Sequence, residues 1–439
     1  MKKLKFIISI VAAVAMLVAC TPSAAPTTAP ATVAPATVAP TVAPAESTGV
    51  TLEFQQWFDN EMAKGYMQSV TDAYTAKTGV KIKLLSNPYP DTKTQIAASA
   101  ATGTLADVVA MDGTWIYSYA TQGVLADLGK LYKATGFDDS TISLKTTVNG
   151  IVYVQPLVIF PSLMAVNQDL LEAKGITTLP QTWSEFLKDC IAVTDPSKDT
   201  YGFGMNMSTE NATNVAFFTA FAWNSGGTIL TPDGKPYLAN NKIMADTTDF
   251  FKSLFTNNCV VPGMFSMTDA DKVQEFVNGR IAFMPDSVAH LSNILEQAPN
   301  MKITYINMPH QDGYSGQSYM RVNNWGVGVS ANSKHPEEAA KFIEYLLSPE
   351  VNADLAVHSN SFPVNTTAKP VYTDNSSAFQ AINALYQTTK GTSEWDSLPT
   401  ADALQSIMDV ALVKFIDGEF KTSSDMLADV QIQFDAAYK

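Results

Sequence analysis

The residue types that most often carry out catalysis are few in this sequence, and they follow no familiar catalytic pattern. The histidines are His290, His310, His335 and His358. None of them has a neighbour at metal-ligand spacing, and the sequence lacks G-x-S-x-G, H-E-x-x-H, phosphate-loop and Cys-x-x-Cys motifs. Asp269 and Asp271 lack the glycine and downstream glutamate of an EF-hand loop. No catalytic residue, metal or cofactor is therefore predicted. Paired carboxylates for glycoside hydrolysis stay open, because they need not be adjacent in sequence.

The cysteines beyond residue 20 are predicted to be structural rather than reactive. Cys190 is at helical spacing from Phe186 and Val193 in "TWSEFLKDCIAV", which predicts that its thiol lies on a buried helix face. A disulfide with Cys259 is an alternative in an oxidising compartment. Two free thiols are favoured, because a domain of this size does not need such a cross-link.

The first twenty residues have the pattern of a secretion signal that ends in a cysteine. Lys2, Lys3 and Lys5 precede an apolar run too short to span a bilayer comfortably. The tetrapeptide "LVAC" resembles the lipobox of bacterial lipoproteins, in which the cysteine becomes an acylated N-terminus. We therefore expect residues 1–19 to be removed and Cys20 to anchor an extracytoplasmic protein to the cell membrane. The alternative is an ordinary signal peptide with an incidental cysteine.

A tether follows this cysteine. Residues 21–48 are almost entirely Ala, Pro, Thr and Val, with the imperfect repeat "ATVAPATVAPTVAP". Regular proline removes backbone donors and favours extended polyproline II, in which the segment would reach roughly 90 Å. Residues 20–48 are thus predicted to form a lipidated spacer without a core of its own.

The remaining chain has the composition of an acidic globular protein. The sequence is 46% hydrophobic and 16% charged, which is enough for a sizeable core in two or more lobes. Its net charge is −14, and removal of the three signal lysines makes it −17. Such a surface is a poor partner for nucleic acid or anionic lipid, and it suits a neutral or cationic ligand.

Strand and helix patterns alternate along residues 50–350. The segments "VTLEFQQW", "VKIKLL", "ADVVAMD", "IVYVQPLVIF" and "MKITYINM" are predicted strands. The first predicted helix ends at Gly79, the second runs from an Asp91 N-cap to Gly103, and a later one starts at Pro336. This alternation predicts an α/β protein whose C-terminal part is mostly helical.

An ordered series of motifs resembles one family. The series runs through "VTLEFQQWFDN", "ADVVAMDGTWIYSYATQGVLADL", "IVYVQPLVIFPSLMAVNQDLLEAKGI", "LPQTWSEFL", "YGFGMN", "FVNGRIAFMPDS", "RVNNWGVGVSANSKHPEEAAKFIEYLLS" and "SNSFPVN". In this order the motifs are similar to the extracellular solute-binding proteins of ABC importers, and most of all to the carbohydrate-binding, maltose-binding-like group.

The resemblance implies a type II periplasmic-binding-protein-like fold, in which two α/β lobes are joined by hinge strands around a ligand cleft. Lobe one would comprise residues 49–158 plus 306–347, and lobe two residues 159–305 plus 348–439. The crossings would fall near 156–162, 303–308 and 347–352. Ligands of such sheets bind outside the carboxyl ends of the strands.

The resemblance also implies candidate ligand contacts, because carboxylates and amides bind sugar hydroxyls and aromatic rings pack on sugar C–H faces. The candidates are Trp57, Asp59, Asn60, Tyr89, Asp112, Trp115, Trp223, Asp286, Asn324, Trp325 and Phe362. Trp325, which follows Asn323 and Asn324, is the strongest of them. Core packing competes with ligand contact for the other tryptophans, and helix capping competes for Asp59 and Asn60. Val288 stands where the family often has an aromatic residue.

The sequence therefore predicts a monomeric, lipid-anchored subunit of an ABC importer that captures a mono- or oligosaccharide and delivers it to the permease subunits. Three alternatives remain at this point. The same fold could bind a polyamine or another cation, the chain could be a surface enzyme that acts on polysaccharide, or it could be a purely structural surface protein.

Overall fold

The computed structural model describes residues 48–208, 214–373 and 376–437 of the 439-residue chain. The predicted signal peptide, Cys20 and the spacer up to residue 47 lie outside the described residues. Strands and helices alternate along most of the described chain, as predicted. None of the described helices combines the length and the apolarity that crossing a membrane requires.

Each of the five segments that the sequence predicted as strands overlaps a described strand. The described strands are β1 (Thr51–Gln56), β2 (Lys81–Ser86), β3 (Val108–Met111), β4 (Thr146–Val148), β5 (Ile151–Asn167), β6 (Tyr201–Phe203), β7 (Ile281–Ser287), β8 (Ile303–Ile306), β9 (Tyr319–Val329), β10 (Phe362–Pro363) and β11 (Lys390–Thr392).

The described α-helices cover the sheet and form most of the C-terminal part. They are α1 (Tyr66–Thr78), α2 (Tyr89–Thr102), α3 (Gly113–Thr121), α4 (Leu128–Thr135), α5 (Gln168–Glu172), α6 (Trp183–Val193), α7 (Asn214–Trp223), α8 (Lys242–Thr256), α9 (Asp269–Val277), α10 (Leu291–Gln297), α11 (Pro336–Leu346), α12 (Pro349–His358), α13 (Ser377–Thr388), α14 (Ala401–Ile416) and α15 (Ser423–Ala437).

Helix ends follow the local chemistry of the sequence, with one correction. Gly79 takes the left-handed conformation, with φ of 74°, and ends α1, while Gly103 ends α2. The prediction that Asp91 is the N-cap of α2 is wrong. The helix starts at Tyr89 with Pro88 as N-cap, because Pro90 suits the first turn, and Asp91 also lies within that turn.

The strands pair in the order β2-β1-β3-β9-β5-β7-β6. β1 lies between β2 and β3 and is parallel to both, and β6 is parallel to β7. β9 is antiparallel to β3 and to β5, and β5 is antiparallel to β7. The carboxyl ends of β1 and β3 therefore meet at one edge, where Trp57 and Asp112 follow them directly.

Two long strands, β5 and β9, connect the two ends of the sheet. β5 pairs with β9 from Gln155 to Ser162, opposite Val327 to Arg321. Farther along, β5 leaves β9 and pairs with β7 and β8. The segment 156–162, which the sequence predicted as a crossing between lobes, is therefore the paired part of β5. We call the paired segments of β5 and β9 the β5–β9 ribbon.

Apolar side chains form two clusters. The first contains side chains from α1 to α4 and from α11 to α13. The second contains side chains from α6, α7, α8, α14 and α15. Leu355, Phe362 and Phe379 belong to the first cluster, although the sequence placed residues 348–439 in lobe two. Residues between Val261 and Tyr305 contribute to both clusters, so the exact lobe boundaries stay a prediction.

Cys190 and Cys259 are both buried and free. Their packing is close, since the Cys190 Sγ lies 3.5 Å from the carbonyl oxygen of Cys259. Burial raises the pKa of the Cys190 thiol well above its ordinary value. A thiol with a raised pKa is a poor nucleophile, so Cys190 is suited to packing rather than to chemistry.

Candidate ligand-binding cleft

The carboxyl ends of β1 and β3 carry an aromatic wall that positions a carboxylate. The rings of Trp57, Tyr89 and Trp115 pack against one another, with centroids 5.1 to 5.6 Å apart. The Tyr89 hydroxyl donates a hydrogen bond of 2.9 Å to the Asp112 carboxylate. Asp112 is the N-cap residue of α3, but its side chain does not cap the helix. The wall therefore holds this carboxylate through a neutral hydroxyl donor.

A second carboxylate reaches the same region from the segment after β11. Asp396 accepts a short hydrogen bond from the Ser393 hydroxyl. Burial, together with the charge of Asp112, raises its pKa to about 6. Burial also raises the pKa of Asp112, although the Tyr89 hydrogen bond and the charge of Arg321 oppose the shift. Two carboxyl groups that are costly to ionise thus lie within electrostatic reach of each other.

Arg321 supplies a positive charge within electrostatic reach of both carboxylates. It lies on β9 in the β5–β9 ribbon, where Arg321, Asn323 and Trp325 alternate with buried residues and so share the more open face. Its guanidinium carbon lies 5.0 Å from the centroid of the Phe217 ring. Burial lowers its pKa, while Asp396 and Asp112 raise it. An arginine nevertheless remains charged in a protein.

Within the described part of the chain, the donors of Arg321 have no partner. Among the described residues, no side chain or carbonyl forms a hydrogen bond or an ion pair with its guanidinium. A guanidinium has five N–H donors in a planar fork, and leaving them unpaired in a buried setting is costly. The arrangement therefore favours a ligand that offers oxygen acceptors at this position.

The opposite wall carries a compact ionic network at the carboxyl end of β7. The buried Lys272 ammonium lies 2.8 Å from Asp269 and 2.9 Å from Asp286. His290 lies 2.8 Å from Asp286 and 3.2 Å from Asp269. Burial alone would raise the pKa of Asp286, but the charges of His290 and Lys272 hold it below its ordinary value. The charge of Asp286 in turn raises the pKa of His290.

Asp269, Asp286 and His290 place ligand atoms within 4.8 Å of one another, a spacing compatible with a metal ion. The Lys272 ammonium, however, already contacts both carboxylates and supplies the positive charge that they require. An internal cation thus already compensates the charge of both carboxylates, and the geometry does not favour a metal there.

Glu61 lies between the two walls. It follows the 3₁₀ turn Phe58–Asn60 and is exposed, yet burial raises its pKa to about 7. The charge of His290 lowers this pKa and the charge of Asp112 raises it, so Glu61 is close to both walls. A side chain that is both surrounded by protein and accessible to solvent is typical of a cleft.

The model of the family described as bacterial extracellular solute-binding protein matches residues 59–353. The chain belongs to this family. A putative binding protein of Brucella abortus is 26% identical over 351 residues, which cover 78% of this chain and 84% of that protein.

A second relative and a solved structure are also similar to this chain. A maltooligosaccharide ABC transporter solute-binding lipoprotein of Streptococcus pneumoniae is 24% identical over 339 residues, 74% of this chain and 75% of that one. An ABC substrate-binding protein from Listeria monocytogenes, solved with cycloalternan, superposes with a TM-score of 0.70. It is 18% identical, and the match covers 88% of this chain and 98% of that one. The predicted two-lobed α/β fold and the predicted family are both confirmed.

In this solute-binding protein, several candidate residues meet at the cleft. Trp57, Tyr89, Asp112 and Trp115 form the aromatic wall, and Asp286 belongs to the ionic network. Trp325 is partly buried and stacks on Phe58 at 4.6 Å, with Phe160 at 4.8 Å. Trp57 and Trp115 are almost fully buried, so any part they play is to support Tyr89 and Asp112. Direct ligand contact by these residues stays a prediction.

Other candidates lie where direct contact is not favoured. The Asp59 carboxylate accepts a hydrogen bond from Ser86, and the Asn60 amide, which is exposed, donates to the Trp57 carbonyl. Asn324 lies on the buried face of β9, opposite Asn323 and Trp325, because side chains alternate along a strand.

Trp223 and Phe362 lie within the apolar clusters. The Trp223 indole donates to Glu394 at 2.6 Å, and the Phe362 ring stacks on Tyr386 at 3.9 Å. Both side chains are almost fully buried. Their position indicates packing, and a role in ligand contact stays an untested prediction for them.

Sequence reasoning missed four charged residues of the cleft. They are Glu61, Lys272, Arg321 and Asp396. Two of them had a signal in the sequence. Glu61 is adjacent to the predicted Asn60, and Arg321 is one of only two arginines in the chain. The sequence held no comparable signal for Asp396 or for the buried Lys272, because their role depends on residues far away in the chain.

The segment Ser393–Asp396 spans from the second apolar cluster to the aromatic wall. Glu394 accepts hydrogen bonds from Trp223 and from the Ile229 amide, and the buried Trp395 indole donates to Thr219. Asp396 instead lies against Gly113 at the start of α3. A Cβ added at Gly113 would lie 2.8 Å from one carboxylate oxygen of Asp396 and even closer to the other.

Replacement of Gly113 by alanine is therefore expected to push Asp396 away and to loosen the cleft. Overpacking of this kind costs about 1–3 kcal/mol, which urea unfolding would measure. Gly129→Ala is the matched control, because it is also helical and its added Cβ would meet only Asp127, at 3.3 Å. A Gly113→Ala variant as stable as the parent protein would contradict the close approach.

Proposed function

We propose that this chain is the solute-binding lipoprotein of an ABC importer, and that it captures a mono- or oligosaccharide in the cleft by lobe closure. The observation that carries the proposal is Arg321, whose donors are unused by the described residues although it packs on the Phe217 ring within electrostatic reach of Asp112 and Asp396. Sugar hydroxyls both accept and donate hydrogen bonds. They therefore match a guanidinium flanked by Asp112 and Asp396.

The similarities support the same proposal. The Streptococcus pneumoniae relative is described as a maltooligosaccharide ABC transporter lipoprotein, and the Listeria monocytogenes structure contains cycloalternan. The signal pattern and "LVAC" in the sequence support a lipid anchor on Cys20, with residues 21–48 as spacer. In this proposal a monomer closes on its ligand, and the closed form delivers the ligand to the permease subunits.

One rival keeps the fold and changes the ligand to a polyamine or another small polar solute. The observation that favours it is the number of carboxylates in the cleft, which Glu61 increases. A surface enzyme acting on polysaccharide is less well supported. The family consists of solute-binding proteins, and both carboxylates of the ionic network are paired with the Lys272 ammonium rather than poised for proton transfer.

A thermal-shift screen of the mature chain, residues 20–439, tests the proposal. A sugar that binds only the folded protein, present at about a hundred times its Kd, is expected to stabilise it by ~2.7 kcal/mol, which is ~4 °C in Tm. The panel should contain monosaccharides, maltooligosaccharides and spermidine. Stabilisation by spermidine with no response to any sugar would overturn the carbohydrate assignment, and turnover of a glycan would overturn the binding-only assignment.

A further inference from the structure

The charges in the cleft do not balance. The ionic network pairs two carboxylates, Asp269 and Asp286, with two basic side chains, Lys272 and His290. That group is close to neutral when His290 is protonated, and the charge of Asp286 raises the pKa of His290. The network therefore satisfies itself and leaves little charge for a ligand to compensate.

The other wall has a negative surplus. Glu61, Asp112 and Asp396 are electrostatically coupled to Arg321 or to one another, and Arg321 is the only cation among these four residues. Three negative charges against one positive charge leave a surplus of two when all are ionised. In the described chain, no lysine or arginine lies within ion-pair distance of these carboxylates. The nearby Lys93 pairs instead with Asp402, at 3.4 Å.

Neutral donors replace the missing cations. Asp112 accepts from the Tyr89 hydroxyl and Asp396 from the Ser393 hydroxyl. Such bonds orient a carboxylate without neutralising it. The raised pKa values of Glu61, about 7, and Asp396, about 6, express the cost of holding these charges together. Either protons or a cationic ligand group would relieve this cost.

We propose that the carbohydrate bound by this cleft carries a protonated amine, as an amino sugar does, and that its ammonium lies between Asp112 and Asp396. This inference rests on the proposed function. An ammonium offers three N–H donors, which suit two carboxylates that each receive one neutral hydrogen bond from the protein. The hydroxyls of the same sugar accept from Arg321. The net charge of −17 after signal removal also attracts cations from a distance.

Matched ligand pairs test the inference by isothermal titration of the mature chain. Glucosamine is compared with glucose, and fully deacetylated chitosan oligomers are compared with their N-acetylated counterparts. At pH 7.5 the amine-bearing member of at least one pair is expected to bind ten times more tightly or better, a difference of ~1.4 kcal/mol. Equal or tighter binding of the neutral members would overturn the inference and leave the carbohydrate function standing. Binding of spermidine but of no sugar would overturn the function itself.

The pH dependence gives a second readout that packing alone would not produce. Glu61 faces His290 and Asp112, while Asp396 faces Asp112, Arg321 and Asp402. An ammonium favours the ionised carboxyls, so amino-sugar affinity is expected to fall from pH 7 toward pH 5 as both carboxyls take up protons. It is expected to fall again at alkaline pH, where the amine of the sugar loses its own proton. An affinity that rises or stays constant from pH 7 to pH 5 would count against the inference.

Asp396→Asn is the matching variant, because it removes one charge and keeps the shape of the side chain. It is expected to lower amino-sugar affinity at least tenfold and to reduce the preference over the neutral analogue by the same factor. Asp233→Asn is the control, since Asp233 pairs with Lys235 at the surface. An Asp396→Asn variant that keeps its Tm and its full preference for the amine would refute the assigned position of the ammonium.

Discussion

Replacement of Arg321 by methionine is expected to lower ligand affinity at least a hundredfold, a loss of ~2.7 kcal/mol. Methionine preserves much of the apolar contact with Phe217 but removes all five N–H donors. It also removes the cation that lowers the pKa of both Asp112 and Asp396, so the pKa of each carboxyl is expected to rise further. Isothermal titration with the tightest sugar found in the screen measures the effect.

The chain contains its own control for this experiment. Arg280 is the only other arginine, and it forms surface ion pairs with Asp199 and Glu275. Arg280→Met carries the same chemical change and is expected to leave ligand affinity unchanged. If both variants bind equally well, Arg321 does not face the ligand, and the cleft described here is not the binding site.

Replacement of Lys272 by methionine is expected to reduce the free energy of unfolding by about 3–5 kcal/mol. The side chains of Lys272 and Asp286 are both fully buried, so the variant leaves Asp286 without its closest cation. Urea unfolding at pH 7 measures the loss. Lys242→Met is the control, because Lys242 is largely exposed and its pair with Asp246 is expected to contribute no more than about 1 kcal/mol.

The sign of the pH dependence follows from the same pair. The pKa of Asp286 is lowered in the folded protein, so its ionised form stabilises the fold above the ordinary carboxyl pKa, and this contribution is lost as the pH falls. In the variant that contribution is missing, and protonation of Asp286 relieves the uncompensated charge. The difference between parent and variant is thus expected to shrink below about pH 4. A difference that is already small at pH 7 would show that the network does not stabilise the fold.

The fold could be predicted where local pattern and tertiary environment agree. β1, β2 and β3 are short runs of residues with high β-propensity. Gly79 and Gly103 end α1 and α2, as glycine at a helix C-terminus predicts. β9 was not predicted as a strand, because "YMRVNNWGVGV" contains three polar residues and two glycines. Its pairing with β3 and β5 overrides this weak propensity.

The candidate site could be predicted only in part. The rule that ligands bind at strand ends located Trp57 and Asp112 correctly at one edge of the sheet. It could not locate Asp396, which lies near Asp112 although 284 residues separate them in the sequence. Nor could it decide which tryptophans pack inside, since Trp223 and Trp325 both have asparagine and glycine close by in the sequence. The distinction depends on the apolar clusters, which form from distant segments.

The position of Arg321 on the β5–β9 ribbon has a kinetic consequence. If the lobes rotate about this ribbon, a group on it has a short lever arm and moves little, while Glu61 follows β1, which β3 separates from the ribbon. Arg321 would then meet the ligand in the open and the closed form alike, and contribute to both encounter and retention. The contact of Glu61 would form only on closure, so its contribution would appear as a longer residence time.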